Sequence, residues 1–558
     1  MPTGLWRQTF IAAVPLSLAI LLINPVAEVG MNDDWSFIRT AFDLAASGHL
    51  RYNGWAAPII GFQAYWGALF IRLFGYSFTV ARISTEVLTL LFVPVLLRLA
   101  RAAGLHATTA IFATLALLLS PLLLISITSF MTDTPAFLLF AGSLLAALEA
   151  WQHPDRRKAL LWMLLAAILS ALSGSVRQIY WAAGVWFLFV LACWRFKSAY
   201  ERIFTWFCLL GTLAFSVFVS HWQGMQPYVS NGSAMAAIAE VPWRESLSEG
   251  FTRLAQFVMT WIVLLLPVSA CFLPRWRMIQ HRWIVFAVAA AAGGLVYLLA
   301  DPLPWVGNTL SANGVLSSHL DVAGEKPVVL PQAAIWLIAT AGLTAFAVML
   351  LLRPRISMES FRCALLTLPF LLVYVAAIAI RGPFFGIYDR YSIPAVAILA
   401  VLLLSACNKV PVAAWVALGI YALYGVATAH DAFSAARARL EATNRLLAVS
   451  LQRTDIISGF EFDCWTEVEK TGHINNDQIQ NPRNAYHNYD DCNGPDGLQF
   501  WWRSTTPSVH ARYVVTLTPL ADLEPAEVVS VPYRTWLPFG TQYVYAQPAK
   551  EPLTCKPE

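Results

Sequence analysis

Residues Asn32-Asp33-Asp34-Trp35-Ser36-Phe37 place two adjacent carboxylates directly after an apolar run of membrane length. Carboxylates are costly beside lipid, so such a pair marks either a solvated helix start or a site for chemistry. In the first case Asp34 or Ser36 would cap the helix that follows. A further acid, Asp133, lies in Met131-Thr132-Asp133-Thr134-Pro135. Proline in a first turn with Thr and Asp before it marks a helix N-terminus. Such an end, with its unpaired N–H groups, also suits an anion such as phosphate. Arginines recur near apolar runs: Arg82, Arg177 in Ser175-Val176-Arg177-Gln178, and Arg381 and Arg390 in the stretch 381–391. Taken singly, none of them marks a site, and the stretch 381–391 reads as an aromatic belt with snorkelling arginines. Brought together, they suit a phosphate or pyrophosphate, whose oxygens match the guanidinium fork. Trp35, Tyr388, Asp389 and Tyr391 adjoin these charges and are expected to contact substrate.

Other chemistries lack their motifs. The chain has no P-loop, GxGxxG, HExxH or GxSxG pattern, and its histidines are scattered singly. No ligand set for a metal stands out, although Asp33, Asp34 and Asp133 would together suit a divalent cation. Asn231-Gly232-Ser233 is a glycosylation sequon.

The elements that must position these residues are membrane helices. Of 558 residues, 58% are hydrophobic and 13% charged, against ~45–50% and ~25% in soluble proteins. The mean hydropathy is +0.59. A disordered chain, a coiled coil, a disulfide scaffold and an ordinary cytosolic enzyme are excluded, which leaves a polytopic membrane protein. A net charge of +4 gives no case for nucleic acid as a partner. The 22 Trp fit membrane–water interfaces.

A span needs ~20 mostly apolar residues. Thirteen runs are expected to cross: 7–28, 79–101, 107–127, 132–150, 159–173, 179–195, 203–221, 254–274, 283–300, 331–352, 361–380, 391–407 and 411–429. Residues 159–195 fit a re-entrant hairpin nearly as well. The first run is read as an anchor, because Asn24-Pro25-Val26-Ala27 fits a leader cleavage site poorly. With the N-terminus inside, sixteen Lys/Arg fall on the very short inside loops and nine on the much longer outside loops. That orientation puts the long loops 29–78, 222–253 and 301–330, and most acids, outside. Two interfacial helices are expected in the first outer loop. Trp35, Ile38, Phe42 and Ala45 recur at helical spacing, and a second helix covers 60–74 and stops at Gly75.

Residues 431–558 are polar, with 11 Arg/Lys and 16 Asp/Glu. The chain therefore divides into a membrane module, 1–430, and a small α/β domain, 431–558, on the outer side. Arg437–Arg453 reads as helix, and Arg512–Thr518 and Thr541–Tyr545 as strands. Cys193, Cys208, Cys271, Cys363 and Cys407 lie in apolar stretches and read as buried thiols. In an oxidising compartment, Cys464 and Cys492 are expected to pair, leaving Cys555 over.

The order of these motifs resembles the GT-C glycosyltransferases, in particular the branch of protein O-mannosyltransferases and lipid A aminoarabinose transferases. It runs from span one to an acidic pair, two interfacial helices, Gly75-x-Ser77-x-x-x-x-Arg82 into span two, and Thr-Asp-Thr-Pro before span four. Asp389-Arg390-Tyr391-Ser392-Ile393-Pro394 is similar to the R-Y-x-x-P element of bacterial members. The likeness covers the layout of residues 1–430, and the tail matches no named domain. It implies an all-α membrane fold, and transfer of a sugar from a polyprenyl-phosphate lipid at the outer face of a bacterial plasma membrane. It also implies that Asp33 is the catalytic base. Asp34 stands where the family often has Glu, so the two could exchange roles. The chemistry agrees: an acceptor hydroxyl must lose a proton, and a leaving phosphate gains charge that cations stabilise. Arg82, Arg177, Arg381 and Arg390 are the expected phosphate ligands, and Asp133 would bind the acceptor or fix an arginine. Displacement on the opposite face implies inversion. No cofactor is required, and a lipid, glycan or protein acceptor stays open.

Two rival classes remain at this point. A transporter would place ionisable groups at the midplane of broken helices, whereas here the charges crowd at one face. A glycan polymerase or ligase with a lipid-pyrophosphate donor differs only in substrate.

Overall fold

The computed structural model describes residues 3–230, 243–278, 282–299, 304–311, 313–314, 322–352, 357–381, 387–490, 492, 500–524 and 529–557. Among the described residues, eight helices are long and apolar enough to cross a membrane, or up to ten if each of two bent pairs is one span. The chain is a multi-pass, all-α membrane protein with a small C-terminal sheet. Each of the thirteen expected runs falls on helix, but they are not thirteen equal spans. The run 107–127 breaks into Ala107–Leu118 and Pro121–Ile127 with a 68° bend, and Gly250–Leu264 and Leu266–Arg275 bend by 57°. In the first case Ser120 caps the second piece and Pro121 starts it. Residues 159–195 form two helices, Arg156–Val176 and Tyr180–Val190, of which the first is long and apolar enough to cross, and the second closes in a π-turn, Leu191–Arg195. Ile393–Leu404 is only 12 residues long. The sequon 231–233 lies outside the described residues.

Lipid-facing stripes are visible on the bundle. On Ala199–Met225 the residues Tyr200, Ile203, Phe207 and Leu210 are all exposed, at helical spacing. Asp133–Gln152, by contrast, is buried on nearly every side and forms the bundle axis, packed on Phe78–Ala102 and Arg156–Val176.

The two expected interfacial helices are present. Asp34–Ser47 ends at Gly48 with φ 75°, and Gly61–Phe74 ends at Gly75 with φ 101°. Helices alternate in direction, so residues 24–34, Arg82, Asp133, Arg177 and Arg390 all lie at one end of the bundle. The short basic turns lie at the other end. There Arg98 pairs with Glu149 at 2.8 Å, and Arg195 donates to the His153 carbonyl.

The tail is built on the last membrane helix. Val412–Ala448 runs unbroken for 37 residues, so no break in structure falls at 430. The helix expected over Arg437–Arg453 is its far end. The strands are β1 (Ile456–Ile457), β2 (Tyr489–Asp490), β3 (Ala511–Thr516), β4 (Val529–Trp536), β5 (Phe539–Leu553) and β6 (Lys556–Pro557). One sheet has the order β1-β3-β5-β4, and β2 pairs with β6. Helix Phe460–Thr471 packs beneath it.

The cysteine expectations need two corrections. Cys492 bonds Cys555, while Cys464 is a buried free thiol beside the Thr505 hydroxyl. Antiparallel pairing of Tyr489 with Pro557 and Asp490 with Lys556 carries Cys492 and Cys555 together. Cys464 sits on the inner face of its helix, out of reach. Cys193 is exposed rather than buried, because it lies on the π-turn at the rim of the bundle.

Candidate active site

The acidic pair splits into two different environments. The helix starts at Asp34 itself, with Asp33 in the cap position but making no side-chain cap bond. Ser36 is not a cap either, since its hydroxyl donates to Asn53 Oδ1 at 2.8 Å. Asp34 turns into the bundle and is fully buried. Its carboxylate accepts from the Met31 N–H at 2.6 Å and from Arg82 Nε at 3.0 Å. Burial pushes the Asp34 carboxyl up, against the pull of Arg82. Arg82, expected among the phosphate ligands, is equally buried, and its other donors go to the carbonyls of Ala27 and Val29. This pair locks the loop between the first span and the helix Asp34–Ser47.

Asp33 points the other way. Asn32, in the left-handed region at φ 58°, makes the turn that separates the two side chains. Asp33 Oδ2 accepts from Arg390 Nη2 at 2.6 Å, and Oδ1 accepts from the indole N–H of Trp55 at 3.0 Å. Each oxygen keeps further acceptor capacity. Arg390 also donates through Nη1 to Asn308 Oδ1 at 3.0 Å and Asn32 Oδ1 at 3.3 Å, and its guanidinium lies 4.6 Å from the Tyr388 ring. Arg390 Nε is buried, makes no hydrogen bond, and lies 3.7 Å from Asp133 Oδ2.

Asp133 links this arginine to another. Arg177 Nη2 lies 3.1 Å from the Asp133 carboxylate, Arg177 Nε donates to the Thr132 hydroxyl at 2.9 Å, and the guanidinium sits 5.2 Å from the Tyr391 ring. Thr132 and Asp133 start their helix without capping it through their side chains, which serve the arginines instead. Burial alone would lower the pKa of each arginine. Asp133 outweighs it for Arg177, and Asp33 with Asp133 for Arg390, so both are held above the ordinary range. They are therefore fixed cations.

The remaining expected residues divide. Tyr388 and Tyr391 flank the two guanidiniums. Asp389 is buried, accepts the Leu310 N–H at 2.6 Å, and has its carboxyl pushed up by burial. Trp35, expected to meet substrate, is instead fully buried against Phe460 of the tail. Arg381 ends its helix, and its side chain lies outside the described residues, as do residues 382–386. Trp55 and Asn308 belong to the cluster without having been singled out in the sequence, and Asn32 and Thr132, named there only as neighbours of the acids, belong to it too. Asp33, Asp34 and Asp133 do not converge, because Arg390 stands between the first and last and Asp34 faces Arg82. Among the described residues, no group of three or more His, Cys, Asp or Glu is placed to hold a metal ion.

Beside the cluster lies an apolar cavity of ≈ 620 Å³, walled by Val263, Trp305, Leu310, Tyr421 and Tyr424, with Asp389 as its acidic group. Leu122 lines both this cavity and a small one that reaches Arg390 and Asn32.

Sequence comparison finds no matching family model and no matching curated protein. Among solved structures, the chain is similar to ArnT from Cupriavidus metallidurans bound to undecaprenyl phosphate, at 16% identity and TM-score 0.40 over 98% of each chain. It is also similar to the Saccharomyces cerevisiae protein O-mannosyltransferase Pmt1-Pmt2 complex bound to the sugar donor, at 15% identity and TM-score 0.32, covering 38% of this chain and 32% of that one. A third is the Archaeoglobus fulgidus oligosaccharyltransferase in the apo form, at 15% identity and TM-score 0.36, covering 76% of this chain and 55% of that one. Similarity this low gives no residue a role.

Proposed function

We propose that this protein is a membrane glycosyltransferase of the GT-C type. It moves a sugar from a polyprenyl-phosphate donor to a hydroxyl of a lipid, glycan or protein, with inversion, on the outer face of a bacterial plasma membrane. The observation that carries the reading is the pair Asp33–Arg390, held at 2.6 Å beside an apolar cavity. At rest Arg390 neutralises Asp33. A donor phosphate competes for Arg390, whose buried Nε has no hydrogen-bond acceptor, and so frees the carboxylate. The acceptor oxygen then bonds to the anomeric carbon, and its proton passes to Asp33. The bond from that carbon to the phosphate oxygen breaks, and the electron pair stays on the polyprenyl phosphate. Arg390 and Arg177 stabilise the growing charge, with Asp133 fixing the distance between them. The ≈ 620 Å³ cavity takes the start of the polyprenyl chain. The outer placement is supported by the Lys/Arg-rich turns at the opposite end of the bundle.

The test is turnover by the purified, folded protein offered a panel of polyprenyl-phosphate sugars, read as release of polyprenyl phosphate. Consumption of one of these donors is expected. Consumption of a lipid-pyrophosphate glycan with all phosphate donors untouched would overturn the reading.

A further inference from the structure

The β4–β5 hairpin ends in a two-residue connection, Leu537-Pro538, between the paired residues Trp536 and Phe539. Its outward face carries Pro532, Arg534, Trp536, Phe539, Thr541 and Tyr543, while Val531 and Tyr533 face inward against the last membrane helix and Thr535 is buried beside them. Phe539 is 92% exposed. An aromatic tip of this kind in water is unfavourable. Trp, Tyr, Phe and Arg side by side form the composition of a membrane–water boundary.

The tip is fixed at such a boundary. Asp431 accepts the N–H groups of both Trp536 and Leu537 at 2.8 Å, and His430 stacks on the Trp536 ring at 4.2 Å. Both residues belong to the helix Val412–Ala448. From Val412 to Asp431 that helix rises about 30 Å, the thickness of a bilayer's hydrocarbon core. Its lipid-facing stripe runs through Val416, Ile420 and Leu423, all exposed. His430 continues this stripe, about 10 Å beyond Leu423. The hairpin therefore arrives where the stripe leaves the lipid. Farther along the helix, Ala435, Ala438, Ala442 and Leu446 pack with Val531 and Tyr533. β4 thus descends the helix toward the membrane.

We infer that the tip of the β4–β5 hairpin is a lipid-binding surface, seated in the headgroup region of the bilayer through Trp536, Pro538 and Phe539. Asp431 sets its depth, and Arg534 and Tyr543 lie at headgroup level. The inference rests on the membrane span of the last helix and is independent of the proposed reaction.

The experiment uses the full chain in phosphatidylethanolamine/phosphatidylglycerol nanodiscs, in a Cys193→Ala background. Phe539→Cys and Ser530→Cys are each labelled with an environment-sensitive fluorophore. Both positions are exposed, so neither substitution disturbs packing. Ser530 sits on the same strand about 20 Å from the tip. The label at 539 is expected to emit to the blue of the label at 530. Lipids carrying a doxyl group near the head of the acyl chain should quench it several-fold more, and aqueous iodide several-fold less. Equal emission and equal quenching at the two positions would overturn the inference, as would quenching of 539 by iodide alone.

Discussion

Glu461, in the tail, accepts the backbone N–H of Asn32 at 2.9 Å, one residue before Asp33 and 429 positions away in the chain. The same carboxylate takes Arg439 at 2.9 Å through its other oxygen, and Arg439 reaches the Gly30 carbonyl at 3.4 Å. A Cβ at Gly30 would come within 2.8 Å of the Glu461 Cβ and 2.6 Å of the Trp35 Cβ, so only glycine fits there. The C-terminal domain therefore sets the conformation of the loop that presents Asp33.

That relationship predicts a positioning role for Glu461. Glu461→Gln keeps an acceptor for Asn32 but loses the charge on Arg439. We expect kcat to fall about 10-fold and donor KM to stay unchanged, since Arg177 and Arg390 are untouched. Glu461→Ala should fall further, toward the ~10²-fold typical of small misplacements at a reacting centre. Steady-state kinetics on the folded variants decide it. Loss confined to donor KM would contradict the role.

The two kinds of arginine should separate cleanly. Arg390→Ala and Arg177→Ala are expected to weaken donor binding by at least ~10-fold, and Arg→Lys should recover little because the fork is lost. Arg82→Ala instead leaves Asp34 as an uncompensated buried acid, at a cost of about 3–5 kcal/mol. It should lower Tm while leaving donor affinity per folded molecule unchanged. Donor titration beside thermal unfolding distinguishes them.

The contrast shows what the sequence could say. The motif Gly75-x-Ser77-x-x-x-x-Arg82, part of the family resemblance, leads into span two, and the structure starts a helix there, capped by Ser77. Which acid Arg82 would meet depends on the turn at Asn32, and pattern says nothing about that. Apolar runs located the helices. They did not reveal the 68° break at 119–120, because an apolar bend and an apolar span have the same composition. Trp55 and Asn308 come from loops and meet Asp33 and Arg390 only through tertiary packing.

The disulfide gives another test of the tail. A peptide map under alkylating, non-reducing conditions should link Cys492 to Cys555 and recover Cys464 as a thiol. Closing a loop across a sequence separation of 63 should stabilise the tail by about 4 kcal/mol on chain-entropy grounds. A Cys464–Cys492 peptide would contradict the fold of the tail.

The tail should also grow more stable on mild acidification. Burial pushes the Asp463 carboxyl up to about 7, although it accepts from the Ser458 N–H and the Trp502 indole. A raised folded-state pKa means that the folded form holds the proton longer. Its contribution is fully present below about pH 4 and is lost as pH rises through about 7. Glu461 and Glu467, also raised by burial, act in the same direction. Tm of the full chain should fall between pH 5 and 7, less steeply in Asp463→Asn. A Tm that rises across this window would contradict the assignment.

The central claim is that Asp33 is the base, and the direct measurement is the initial rate of sugar transfer by Asp33→Asn beside its donor affinity. The change keeps the shape and the acceptor for Trp55 but removes the base, whose loss typically costs ~10²–10⁴-fold. We expect that loss with Tm and membrane insertion near those of the unaltered protein, and with donor binding at least as tight, since Arg390 no longer has to leave a carboxylate to meet the phosphate. Asp34→Asn should instead lower Tm, through Arg82, and keep most of its rate per folded molecule. Full activity in Asp33→Asn, with the loss in Asp34→Asn alone, would contradict the account.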